Sequence, residues 1–280
     1  MYPYKIFLGL TLYDILICVG IILCFCLFGF LSDKRKMRVK HQKFSLVCGC
    51  LAIAAGLASG VIFQALYNIP ARGEFIIDGQ TGITFYGGLV GGVAVFLLVY
   101  FVVGKVFYKN YENPHYHNEN FFSMASSAIA TVPLAHSLGR IGCLTAGCCH
   151  GALTDEWYGI MMYGGEGYAK YVPTQLFEAI FLLLLFVFLF FNAYRGGRYN
   201  LPIYMSAYGV WRFIIEFVRD DYRGSVGIDA ITPSQLIAIL MIVGSVGVFF
   251  LEKAYTDKVE KRNAELSLAN FEDGDNDKNN

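Results

Sequence analysis

Charge is what this sequence has least of. Only 16% of its 280 residues are Asp, Glu, Lys or Arg, against roughly 25% in a soluble domain. That shortage excludes an ordinary soluble fold. The formal net charge is zero, so overall charge implies no nucleic-acid partner. A cleavable leader is lacking too. The first apolar run, about residues 8–31, is too long for a signal-peptide core, and no small-residue cleavage site follows it. It is read as a span that is kept. No second soluble domain and no internal repeat is evident. Apolar side chains are abundant instead, at 56% of the chain.

Seven apolar segments stand out, at about 8–31, 44–68, 84–104, 123–142, 173–193, 201–219 and 234–251. Each approaches the ~20 residues a helix needs to cross a bilayer. Pro133 and two glycines interrupt the fourth, and a broken helix is tolerated where it lines a cavity. The expected fold is an all-α integral membrane protein of about seven transmembrane helices. Lys and Arg set its orientation. They crowd 34–43 and the loops holding Lys105, Lys109, Arg195 and Arg198, with Lys253, Lys258, Lys261 and Arg262 at the end. The other side carries Lys5, Arg72, Lys170, Arg219 and Arg223. This bias places the N-terminus outside and the C-terminus in the cytoplasm. Residues 1–255 form the membrane domain, and the polar 256–280 reads as a disordered cytoplasmic tail.

Ionisable side chains inside such spans cost ~2.5–3.5 kcal/mol each on insertion scales, so they mark sites. Two arginines stand out. Arg140 lies in His136-Ser-Leu-Gly-Arg140-Ile-Gly142-Cys143, where His136 and Arg140 share a helix face. Arg212 lies in Tyr208-Gly-Val-Trp-Arg212-Phe-Ile-Ile-Glu216-Phe-Val-Arg219. Arg212 and Glu216 pair at i, i+4, with Arg219 two turns from Arg212 on a similar face. Converging guanidiniums suit an anion, and the commonest anion in a bilayer is a lipid phosphate.

Three further stretches carry double readings. Tyr86-Gly87-Gly88-Leu-Val-Gly91-Gly92 is a doubled small-xxx-small pattern that favours close helix packing. Its Tyr86 is either an aromatic-belt residue or a hydrogen-bonding group at the site. Pro173-Thr174-Gln175-Leu-Phe-Glu178 opens the fifth span; Gln175 and Glu178 either cap the helix or support the arginines. Cys18, Cys24, Cys26, Cys48 and Cys50 lie in spans and read as packing residues. Cys143, Cys148, Cys149 and His150 cluster at the outer face, where a disulfide, a metal site and a reactive thiol are all open. The spacing matches no standard zinc pattern, so no metal is assigned, and no cofactor is expected.

These residues resemble the prolipoprotein diacylglyceryl transferases of bacterial membranes. The likeness runs through Leu12-Tyr13, Gly87-Gly88-Leu89, Gly139-Arg-Ile-Gly142, Pro173 to Glu178, Tyr208 to Arg219 and Ser234-Gln235. It implies seven spans, a site toward the outer leaflet, and a place in the bacterial cytoplasmic membrane. It implies transfer of diacylglyceryl from phosphatidylglycerol to the lipobox cysteine of preprolipoprotein signal peptides, releasing glycerol phosphate. Arg140 and Arg212 correspond to the two arginines that hold the phosphate, Tyr13 to a functional tyrosine, and Gly142 and Glu216 to signature positions. The chain departs from the family where Tyr86 replaces a histidine, and where Cys143, Ala146 and Cys148 replace two asparagines and a glutamate. His136 or His150 then stands in as base. The candidate catalytic set is Arg140, Arg212, Glu216, Tyr13, Tyr86 and His136. Gly87, Gly88, Gly142, Cys143, Gln175, Glu178 and Arg219 are candidates for binding substrate. A transferase with another acceptor and a non-catalytic phospholipid-binding protein remain alternatives.

Overall fold

The computed structural model describes residues 5–7, 9–110, 113, 115–164, 167–219 and 231–276, with side chains to residue 265. Arg223 and the last four residues of the expected tail lie outside the described residues. The chain divides into two compact units, Met1–Arg35 with Phe122–Asn280, and Lys36–Phe121.

The larger unit opens on a small hairpin, β1 (Lys5–Phe7) with β2 (Leu10–Thr11), leading into α1 (Leu12–Lys34). Thr11 and Asp14 form a capping box at its start, with Asp14 N–H donating to Thr11 Oγ1 at 3.3 Å and Thr11 N–H to Asp14 Oδ2 at 2.9 Å. The cap fixes Tyr13 in the first turn. The fourth apolar segment is two helices, α6 (Phe121–Ile129) and α7 (Val132–Ala146). The break falls at Ala130-Thr131, where Thr131 Oγ1 donates to Ala128 O at 2.8 Å. Pro133 then sits in the first turn of α7, where its missing N–H has no partner to lose. A second hairpin follows, β3 (Ile160–Gly164) with β4 (Gly167–Tyr171). The unit ends with α8 (Thr174–Tyr194), α9 (Asn200–Ile215) and α10 (Pro233–Asn276). Leu31, Ala130, Leu185, Leu189 and Ala193 form a buried core among these helices.

The smaller unit holds α2 (Val39–Arg72) and α3 (Phe85–Leu98), which runs through a π-helical turn, Val99–Val103, into α4 (Gly104–Phe107). A short α5 (Tyr116–Glu119) follows. The expected glycine seam is present. A Cβ on Gly88 would lie 3.0 Å from Gly56 O, and one on Gly92 3.0 Å from Ala52 O. Only glycine permits these backbones to approach so closely. Ser59 Oγ, donating to Gly87 O at 3.0 Å, ties the two helices. Tyr86 is half-buried beside Phe85.

Among the described residues, six helical runs are long and apolar enough to cross a membrane: Leu12–Lys34, Val39–Arg72, Phe85–Phe107, Phe121–Ala146, Thr174–Tyr194 and Pro233–Glu265. Large apolar side chains such as Ile22, Leu57, Leu184 and Phe188 are exposed along them, as lipid-facing residues are. The chain is a helical, multi-pass membrane protein. The expected sixth span, 201–219, falls short as one helix. It holds α-helical geometry only to Ile215 and then tightens into a 3-10 turn, Glu216–Val218. Two small hairpins qualify the all-α expectation. Helical backbone also continues to Asn276, over most of the stretch that composition assigns to a disordered tail.

Candidate active site

In the larger unit the sequence motifs meet at one end. The start of α1, the end of α7, the start of α8, the end of α9 and the start of α10 all contribute. Gly142 packs on Tyr13 so closely that a Cβ there would lie 2.8 Å from Tyr13 Cδ2. Ser137 Oγ donates to Ala179 O at 2.9 Å and locks α7 to α8.

Glu178 organises the first half of the site. Its side chain is wholly buried. Oε1 lies 3.0 Å from Arg140 Nη2 and 3.8 Å from His136 Nε2. The same oxygen accepts from Tyr208 Oη at 2.8 Å. His136 and Arg140 therefore share a face, as their spacing predicts, and that face meets a carboxylate. The His136 ring packs edge-on to Tyr208, centroids 5.0 Å apart, and its Nδ1 is 3.4 Å from Tyr204 Oη. Arg140 Nε is buried without a hydrogen-bond partner among the described residues.

Arg212 and Glu216 form the second half. Arg212 is 5% exposed, and its Nη2 sits 2.8 Å from Glu216 Oε2. That approach is too oblique to make a hydrogen bond, so the contact is Coulombic. Nη2 donates to Ser234 Oγ at 2.9 Å, and Thr232 Oγ1 donates to Glu216 Oε1 at 3.0 Å. Thr232 and Gln235 cap α10 reciprocally, through Gln235 N–H to Thr232 Oγ1 at 3.2 Å and Thr232 N–H to Gln235 Oε1 at 3.1 Å. Arg212 Nη1 is buried with no partner among the described residues. Burying an arginine with idle N–H groups is costly unless something else satisfies them. Both guanidiniums also act electrostatically on Glu178 and Tyr208, so the two halves share one field.

Arg219 lies past the end of the α-helix, in extended backbone after the 3-10 turn Glu216–Val218. Gln175 Nε2 donates to Cys148 O at 2.7 Å, and Thr174 Oγ1 to Cys149 O at 2.9 Å. These two residues thus hold the loop after α7. The loop continues into a backbone seam. Gly151 N–H donates to Val172 O at 2.8 Å, Val172 N–H to Ala152 O at 2.9 Å, and Ala152 N–H to Val218 O at 3.2 Å. All eight cysteines are unbridged. Contacts from Cys143 and Cys148, then the charges of Arg140 and Arg219, hold the Cys149 thiol below the usual thiol range against its burial. Beside the site, an apolar cavity of about 300 Å³ is lined by Tyr158, Val172, Phe177, Ile214, Ile215 and Val218.

Tyr86, Gly87 and Gly88 belong to the smaller unit. Tyr208, Tyr204, Ser234 and Thr232 join the site through contacts that the sequence does not announce. Tyr208 had a signal, standing four residues before Arg212. Ser234 had only its place at the opening of the last span.

The family model of the prolipoprotein diacylglyceryl transferases matches residues 4–251. A phosphatidylglycerol–prolipoprotein diacylglyceryl transferase of Clostridium tetani (strain Massachusetts / E88) is 30% identical over 247 residues, covering 86% of this chain and 92% of its own. One of Clostridium perfringens (strain 13 / Type A), named as number 2, is 28% identical over 256 residues, covering 88% and 93%. One of Clostridioides difficile (strain 630) is 27% identical over 259 residues, covering 90% and 92%. With its length matched almost end to end, this chain belongs to the prolipoprotein diacylglyceryl transferase family.

Proposed function

We propose that this chain transfers the diacylglyceryl group of phosphatidylglycerol to the lipobox cysteine thiol of a preprolipoprotein, releasing glycerol phosphate. The family and the relatives' names support the reaction. One observation carries it to this site. Two buried guanidiniums, each braced by a carboxylate, keep an N–H without a partner among the described residues, Arg140 Nε and Arg212 Nη1. Such donors suit a phosphate oxygen in a low-dielectric setting.

The acceptor sulfur attacks the glycerol carbon that bears the phosphate. A C–S bond forms and the C–O bond breaks with its electron pair. Glycerol phosphate departs, and the thiol proton goes to a base. Arg140 and Arg212 stabilise charge building on the leaving phosphate. Glu178 and Glu216 orient them. His136, within reach of Glu178, is the base candidate of this unit. Tyr13 packs against Gly142 beside Cys143, and Gln175 fixes the loop over the site. Arg219 adds positive charge at the loop, where it acts on Cys149. The apolar cavity suits an acyl chain.

In this reading α9 with its 3-10 turn is a seventh crossing, the N-terminus is outside, and the site faces the outer leaflet of a bacterial cytoplasmic membrane. Residues 1–255 are the transferase body and 256–280 a cytoplasmic tail. The test is release of glycerol phosphate from labelled phosphatidylglycerol by the purified protein, with and without a lipobox peptide. Peptide-dependent release that is lost in Arg140→Ala is expected. Peptide-independent release would point to another acceptor. Lipid binding without release would sink the transferase reading.

A further inference from the structure

The three outer cysteines do more than fill space. Their sulfurs all lie within 4.8 Å of one another. Cys143 lies in the last turn of α7, which ends at Ala146, and the chain then reverses at Gly147, whose φ of +77° caps the helix. Gly147 and Cys148 N–H both donate to Cys143 O, at 3.0 and 3.1 Å. Cys149 follows at φ +63°, a left-handed conformation uncommon for any residue but glycine. The hydrogen bonds from fully buried Gln175 and Thr174 hold this geometry at the Cys148 and Cys149 carbonyls. Together these contacts turn a linear C-x4-C-C into a converged trio.

We propose that Cys143, Cys148 and Cys149 form a three-thiolate site for a thiophilic divalent cation of the zinc class, whose open fourth position receives the acceptor thiol. The second half rests on the transferase reading above. Zinc–sulfur bonds are about 2.3 Å, so three thiolates on one tetrahedral ion stand roughly 3.8 Å apart. Exposed Cys148 can supply that contraction by side-chain rotation. Hard cations are excluded because they demand oxygen ligands. His150 is engaged elsewhere, with Nδ1 3.0 Å from Gly151 O and its ring on Tyr171 at 4.1 Å. Four protein ligands make closed structural zinc sites, whereas three with an open position make reactive ones.

The chemistry supplies a thiolate nucleophile near neutral pH, where a free thiol is mostly protonated. A thiol that coordinates the cation is deprotonated outright, its proton passing to the base of the transfer step. The bound sulfur then uses a lone pair to form the C–S bond, the C–O bond breaks toward phosphate, and the cation returns to three thiolates. Guanidinium charge from Arg140 and Arg219 acts on Cys149 and offsets the negative trio.

The test uses the full chain, purified in detergent under reducing conditions and equilibrated with zinc. About one zinc per chain is expected by elemental analysis, and cadmium should give a sulfur-to-metal charge-transfer band. Cys148→Ser should weaken zinc by more than roughly 100-fold, since loss even of outer-shell partners costs about 10–100-fold. Cys18→Ser, in a span and away from the trio, should leave it unchanged. Peptide-dependent release should fall on chelation and return with zinc. Wild-type protein with three free thiols and no zinc uptake would overturn the site, as would mass spectrometry joining two of the three in a disulfide. Release indifferent to chelation would overturn the acceptor role. Zinc-loaded protein without release at any zinc level would fail the transferase reading while leaving the metal site standing.

Discussion

Replacing Glu178 with Gln isolates the carboxylate at the centre of the site. Its Oε1 holds Arg140 at 3.0 Å and Tyr208 at 2.8 Å, in a side chain with no exposure. Bonds to a charged group contribute about 1.5–3 kcal/mol each. Stripping one partner from a buried ion pair costs about 3–5 kcal/mol. Glutamine keeps the shape and one carbonyl acceptor, so the net loss is about 2–3 kcal/mol. In a protein of this size that lowers the melting temperature by about 4–12 °C. Thermal unfolding of detergent-solubilised protein reads the shift directly. Tyr208→Phe removes one donor to that charged oxygen and should cost about 1.5–3 kcal/mol. Because the two residues share an oxygen, the double variant should depart from additivity by at least about 0.5 kcal/mol. Glycerol phosphate release should fall as well, since Arg140 loses its brace. A Glu178→Gln protein that melts like wild type would refute the idea that Glu178 anchors Arg140.

Arg212→Lys should cut release roughly 100-fold, the usual scale for losing one charge-stabilising donor. A lysine can still reach Glu216 but has no second terminal nitrogen in a fixed fork; near-normal activity would count against the phosphate clamp. Gly142→Ala places a methyl 2.8 Å from Tyr13 Cδ2, and should destabilise by about 1–3 kcal/mol as overpacking does, measurable by the same melting assay. Asp78 accepts from Arg72 at 3.0 Å, which with Gln80 and Thr81 holds its carboxyl below the usual carboxylate range. A depressed folded-state pKa supplies stability above the unfolded value of ~3.9 and loses it as pH falls through the folded one. The 73–84 loop should therefore loosen to proteolysis only in acid below that range; loosening near neutral pH would refute the assignment.

The spans were legible because twenty apolar residues have few fates other than a bilayer. The i, i+4 pairing of Arg212 with Glu216 was legible for the same local reason, and so was the shared face of His136 and Arg140. The glycine seam of α2 and α3 followed from its repeat. Spacing stops being informative where contacts join distant elements. Nothing local says whether Glu178 caps α8 or meets Arg140, 38 residues away in sequence. Its partner Tyr208 arrives from yet another helix. Nor does a helical count say where the helix stops, which is at Ile215, before Arg219. The three thiols are likewise unreadable as C-x4-C-C, because their convergence depends on a left-handed Cys149 held by Thr174 and Gln175.

The seam of Gly151, Ala152, Val172 and Val218 decides where this protein can change length. One added residue between Cys149 and Thr154 would slip the strand register and turn each following side chain to the other face. Thr174 and Gln175 would then no longer meet the Cys149 and Cys148 carbonyls. An epitope tag or fluorescent peptide placed three residues past Cys149 would therefore dismantle the site it was meant to report on.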